Sequence, residues 1–154
     1  MSEDGMPSGQ DTEPTVAGGY TDDHAAAGLD ADLPAIDVFP NQFPSYVIQI
    51  DHPEFTSICP KTDLPDFGTI TIEYEPAASC LELKALKLYL NAYRNLGIFQ
   101  ENVVNRVLRD VVEAAEPMWC EVRGEFAARG GLTTTVTAGW RRNDLEIEEL
   151  DDED

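Results

Sequence analysis

Lysine is nearly missing from this chain. It occurs only as Lys61, Lys84 and Lys87, and the rest of the ten cations are arginines. Nucleic-acid backbones and anionic membranes are bound by clustered Lys and Arg, so no direct binding to either is expected. Histidine is rarer still, with His24 and His52 alone. Neither C-x-x-C nor H-E-x-x-H occurs, so no metal site is expected. A Ser-His-Asp or Cys-His pair would have to run through His52. No run of about 18 apolar residues exists, so no membrane-spanning helix is expected. The N-terminus lacks a basic region followed by an apolar run, so no signal peptide is expected. The three cysteines, Cys59, Cys80 and Cys120, are then expected as free thiols in a reducing, cytoplasmic compartment. Neither G-x-G-x-x-G nor a Walker sequence is present, so any nucleotide would be held outside those folds.

What is abundant is acid. Thirty Asp and Glu leave a formal net charge of −20. An acid-rich, lysine-poor surface suits a halophilic protein in a concentrated-salt cytoplasm, where a Debye length of about 3 Å at ~1 M salt screens self-repulsion. Two acidic tails alone are the other explanation. Asp144 to Asp154 hold eight acids in eleven residues and no cation. Residues 1–36 are rich in Gly, Ala, Asp, Ser and Pro, with few large apolar groups. The expected organisation is a disordered acidic arm over 1–39, one folded domain over 40–142 and a disordered acidic tail over 143–154. A folded part of about 100 residues is small for a monomer with a deep ligand pocket, so self-association is expected.

Ser45 to Asp51 reads as a strand, and the turn Cys59-Pro60-Lys61-Thr62-Asp63-Leu64-Pro65-Asp66 follows. In 67–75, Ile70, Ile72 and Tyr74 alternate with Thr69, Thr71 and Glu73, which predicts a half-buried strand. Ser79-Cys80-Leu81-Glu82 fits a capping box and predicts a helix from there to about Asn95, ended by Gly97. Leu83, Leu86, Leu90 and Tyr93 form an apolar stripe on it; Lys84, Lys87, Asn91 and Arg94 form a cationic one. A second helix is predicted from about Gln100 to Ala115, with Val103, Val104, Val107, Leu108, Val111 and Val112 buried. Strands over 118–127 and 132–140 flank the turn Arg129-Gly130-Gly131. The expected fold class is α+β: an antiparallel four-stranded sheet with two helices on one face, in the order ββααββ.

Cys59 and Asp66 stand seven positions apart across a turn stiffened by two prolines. A thiol and a carboxylic acid so held can act on one substrate as nucleophile and proton donor. A proline-rich loop with one buried cysteine is the plainer alternative. Lys61 lies two residues from Cys59, and its charge would favour the thiolate. Cys120 falls on the apolar side of its strand and reads as buried; Cys80 reads as a small filler in the first turn of its helix. The Lys84 and Lys87 face suits a phosphate or carboxylate, or is an ordinary solvated face. Glu82 and Glu101 either serve their helix starts or accept hydrogen bonds from a purine-like heterocycle.

Glu82-Leu83-Lys84-Ala85-Leu86-Lys87-Leu88-Tyr89 resembles the signature helix of the NADPH-dependent nitrile reductases of the QueF type, the 7-cyano-7-deazaguanine reductases. Cys59-Pro60-Lys61-Thr62 with Pro65-Asp66-Phe67 resembles their catalytic loop. Phe99-Gln100-Glu101 falls at their second substrate-binding motif, and Arg129-Gly130-Gly131 at their late turn. The resemblance spans about 45–135 and implies the tunnelling fold (T-fold). It implies reduction of 7-cyano-7-deazaguanine to the aminomethyl product in queuosine biosynthesis, a tRNA modification. Cys59 would form a covalent thioimide and Asp66 would protonate nitrogen. Leu81, Glu82, Leu83, Gln100 and Glu101 would bind the substrate. Lys84, Lys87 and Arg129 would contact NADPH, used twice per turnover without a metal. A pentamer or decamer with sites between subunits is implied as well.

The family usually carries His-Glu where this chain has Gln100-Glu101. Glutamine hydrogen-bonds but does not shuttle a proton. An amidine-forming relative acting on nitrile-bearing tRNA, and an inactive deazapurine-binding homologue, are the alternative readings.

Overall fold

The structure is a computed structural model that describes residues 19–143. Its elements run α1 (Asp22–Ala26), β1 (Val38–Pro40), β2 (Ile48–Ile58), β3 (Pro65–Glu75), β4 (Ser79–Leu81), α2 (Leu83–Asn91), a 3-10 turn (Ala92–Asn95), α3 (Gln100–Ala115), β5 (Trp119–Arg129) and β6 (Leu132–Arg141). The expected antiparallel sheet is present, in the order β2-β3-β5-β6. Its register sets Ile50 opposite Ile72, Ile72 opposite Val122, and Tyr74 opposite Cys120. Alternation then sends Ile70, Ile72, Tyr74, Cys120, Val122 and Phe126 to one buried face.

That face is closed by α3. Val103, Val104, Val107 and Val111 recur at helical spacing and are fully buried, each worth about 1.5–3 kcal/mol of apolar burial. Gly124 allows the contact, because a Cβ there would stand 2.7 Å from Val104 Cγ2. Glu116 ends the helix with a left-handed φ of 46°, and Pro117 follows. Below α2, the Tyr89 and Tyr93 hydroxyls bond each other at 2.8 Å, Tyr89 donates to Asp110, and Arg106 Nε reaches Asp110 Oδ2 at 3.0 Å. Burial pushes both tyrosines up.

Three expectations are corrected. Ser79 does not cap a helix. Ser79–Leu81 is a strand paired with Val38–Pro40, with Cys80 opposite Phe39, and α2 starts only at Leu83. The buried Cys80 and Leu81 take a strand partner about forty residues upstream, and that pairing overrides the local capping signal. Leu83 leaves the apolar stripe: as the first helical residue it is 60% exposed, and Ala85, Leu86, Tyr89 and Leu90 form the buried face of α2.

The third concerns the arm, expected to be disordered over 1–39. From residue 19 onward it is laid against the body. Asn102 Nδ2 donates to Ala25 O at 2.6 Å, Arg106 Nη1 to Gly28 O at 2.8 Å and Arg109 Nη2 to Leu29 O at 2.8 Å. These donors recur every three or four residues along one face of α3. Leu33 and Ile36 pack on the core. Residues 1–18 and 144–154 lie outside the described residues.

Candidate active site

Antiparallel pairing of β2 with β3 brings Ile58 opposite Pro65 and Ser57 opposite Asp66. The chain between them closes into a turn: Cys59 N–H donates to Leu64 O at 2.9 Å, and Asp63 N–H to Cys59 O at 2.8 Å. Asp63 takes a left-handed φ of 61° to complete it. Cys59 and Asp66 are each only 2% exposed. The expected pair is therefore brought together at one end of the buried sheet face, where Ile98 N–H donates to Ile58 O and Ile58 N–H donates to Leu96 O.

Arg129 reaches in from the β5–β6 hairpin. Its Nη1 donates to Asp66 Oδ1 at 2.9 Å and its Nη2 to Thr62 Oγ1 at 3.5 Å. Burial raises the Cys59 thiol pKa, but the Thr62 hydroxyl and N–H, the Lys61 N–H and the Arg129 guanidinium outweigh it, and the net shift is downward. The thiolate is the nucleophilic form, so this environment suits attack on an electrophilic carbon. Lys61 acts through its backbone. Its Nζ stands instead 5.5 Å over the ring of Tyr20, contrary to the expectation that its charge would lower the thiol. His52 does not pair with the sulfur; it packs edge-on against Phe55 at 6.3 Å. Cys120 is buried and pushed up to about 12, as an inert core thiol would be. All three cysteines are free.

Beside this corner opens a cleft of about 630 Å³, lined among the described residues by Tyr20, Leu64, Gln100, Arg129, Gly130, Leu132 and Thr134. Gln100 joins Arg129 there as the first residue of α3. Glu101 is exposed in the same first turn. The remaining expected residues stand apart from the lining. Leu81 is buried, and its N–H donates to Tyr74 Oη at 2.8 Å. Glu82 caps α2, its Oε1 accepting from Ala85 N–H at 2.7 Å. Lys84 and Lys87 are exposed, with no ion pair to a described residue. One chain thus carries two separate groups: a buried reactive corner with its cleft, and an open binding face on α2.

Sequence reasoning missed Thr62 and Tyr20. Thr62 Oγ1 also accepts from Leu64 N–H at 3.2 Å, a short-range turn bond that a Thr two residues before a Leu in a proline-bounded loop can signal. Tyr20, set 5.5 Å from the Phe99 ring, sits in a Gly- and Ala-rich arm and carries no such signal.

Among the described residues, no three His, Cys, Asp or Glu side chains group as a metal site, and no helix is long and apolar enough to cross a membrane. A family model described as QueF-like protein matches residues 65–144. A protein of Elusimicrobium minutum (strain Pei191), named NADPH-dependent 7-cyano-7-deazaguanine reductase, is 53% identical over 125 residues, covering 80% of this chain and 95% of that protein. A protein of the same name from Chlorobaculum tepidum is 54% identical over 110 residues, covering 70% of this chain and 94% of that protein. The solved apo structure of the archaeosine synthase QueF-Like matches with a TM-score of 0.59 at 23% identity, covering 64% of this chain and 95% of that one. That likeness concerns the fold alone, and the fold is the expected tunnelling fold. The chain belongs to the QueF family, that of the NADPH-dependent 7-cyano-7-deazaguanine reductases.

Proposed function

We propose that this protein reduces 7-cyano-7-deazaguanine to 7-aminomethyl-7-deazaguanine with NADPH, in queuosine biosynthesis. The observation that carries the reading is the corner in which buried Cys59, held toward thiolate, shares Arg129 with buried Asp66. A nitrile accepts hydride poorly. The Cys59 sulfur adds to its carbon, one C–N π bond opens, and Asp66 gives its proton to the nitrogen. The product is a thioimide on Cys59, a better acceptor, so one hard step becomes two easier ones. NADPH, used twice per product, supplies the two hydrides, and Cys59 is freed when the C–S bond breaks. Gln100 hydrogen-bonds at the cleft without moving a proton, which leaves Asp66 as the acid.

The heterocycle is gripped by Glu82 and Glu101, with Leu81, Leu83 and Gln100 around it. Lys84 and Lys87, exposed one turn apart and free of ion pairs to described residues, suit NADPH phosphates. Arg129 lines the cleft and holds Asp66, and its guanidinium suits a contact to NADPH there. Because the α2 group does not line the Cys59 cleft, the two halves meet between subunits of a ring, a pentamer or a decamer of paired rings. Exposed Val38, Phe39, Leu83 and Leu88 support this, since a neighbour would cover them. The amidine-forming alternative has support from the fold alone, against relatives above 50% identity that carry the reductase name.

Incubation with the nitrile and NADPH, across a wide range of salt, should consume NADPH and yield the aminomethyl product, and Cys59→Ala should do neither. No oxidation at any salt concentration would refute the reading.

A further inference from the structure

Among the described residues, one buried side-chain oxygen or nitrogen has no hydrogen-bond partner in the protein: the hydroxyl of Ser57. The residue is 0% exposed. A buried hydroxyl left unpaired destabilises the fold relative to alanine, and such groups are rare in native proteins. Its position is informative. Ser57 lies directly opposite Asp66 in the β2–β3 register, so the two share the buried face, and Cys59 follows two residues later, just past the strand end. Directly opposed residues hold their Cβ atoms about 4.5–5.5 Å apart. Arg129 bonds Asp66 Oδ1, and no described residue bonds Oδ2.

We propose that Ser57 is a positioning residue for Asp66, its hydroxyl turning to the second carboxylate oxygen during proton transfer to the substrate. The proposal rests on the reading of Asp66 as proton donor. A hydroxyl suits the task because it both donates and accepts. Before transfer it accepts from the carboxylic O–H and holds the proton-bearing oxygen toward the cysteine. As the sulfur–carbon bond forms, that proton passes from Asp66 to the nitrile nitrogen. Ser57 then donates to the carboxylate left behind, a charge-assisted bond stronger than a neutral one. The serine proton stays on Oγ throughout, so the step balances with the acid alone. In this structure the Ser57 hydroxyl has no partner and Arg129 takes Asp66 Oδ1, so the pairing forms only as the substrate arrives.

The test compares Ser57→Ala, Asp66→Asn and the double variant in the full-length protein. Thermal midpoint, single-turnover rate of adduct formation with 7-cyano-7-deazaguanine, and steady-state constants are measured. Ser57→Ala should melt no lower than the parent, since it removes an unpaired buried group. Its adduct rate and kcat should fall about tenfold to a hundredfold, as for a misplaced catalytic group, with both KM values unchanged. In the Asp66→Asn background the serine change should add no further loss. Parental rates in Ser57→Ala, a clearly lowered midpoint, or an equal loss in the Asp66→Asn background would each overturn the proposal while leaving Asp66 as the acid. Parental rates in Asp66→Asn alone would overturn the proton-donor reading, and this one with it.

Discussion

The corner at Cys59 and the face of α2 are built in opposite ways. The corner is closed: Cys59 and Asp66 are almost wholly buried, and Thr62 and Arg129 tie them together. The face is open: Leu83, Lys84 and Lys87 are exposed, and among the described residues the Glu82 carboxylate is engaged only by its own helix. Reactive groups gain from a dry, fixed setting, because each hydrogen bond there is stronger and needs no rearrangement at the moment of reaction. Groups that grip a ligand must first be reachable. The corner is thus closed within one chain, whereas the face is open, as the proposed ligand and neighbouring subunit require.

The largest effect that would sharpen this contrast is at Asp66. Asp66→Asn should lower kcat by about 10²–10⁴-fold, the range for loss of a general acid, while binding of the deazaguanine ring, read by titration, stays near parental. A parental kcat would break the assignment of acid chemistry to the corner. Mixing subunits tests the division itself. Cys59→Ala and Glu82→Gln proteins, each impaired alone, should regain activity after subunit exchange, because some interfaces then pair an intact corner with an intact face. No recovery would place both halves in one protomer.

A smaller effect is expected on the open face. Lys84→Ala and Lys87→Ala should each raise the KM for NADPH about tenfold, the equivalent of one charge-assisted contact near 1.4 kcal/mol. The pH profile of adduct formation should not move. A changed thiol profile would mean that the two regions are not independent. The smallest effect concerns Thr62. Adduct formation rises with pH as the thiol ionises, and the Cys59 pKa is lowered. The rising limb should therefore lie below that of an ordinary thiol. Thr62→Val removes one of the lowering contacts and should shift the limb to higher pH; a downward shift would contradict the account.

The corner was legible in the sequence because its signals are local. Two prolines bound the turn, and the alternation after Asp66 fixes which side chains are buried. The start of α3 was equally plain from its valine spacing. What escaped depends on partners far away in the chain. Glu82 turned out to be the cap, not the third helical residue, because Cys80 pairs with Phe39. Arg129 lies 63 residues from Asp66, so a turn motif gave its place but not its contacts. The arm is held by backbone carbonyls, which leave no trace in an apolar pattern. Ser57 fell outside the strand read over 45–51, and nothing marked it until β2, running on to Ile58, set it opposite Asp66.

The central claim is that the closed corner supplies the nucleophile. The most direct measurement is intact mass after mixing the protein with 7-cyano-7-deazaguanine in the absence of NADPH, followed by mapping of the modified residue. Addition expels nothing, so the mass should rise by that of the whole nitrile, on Cys59 alone. No gain in mass, or a gain on Cys80 or Cys120, would contradict the account.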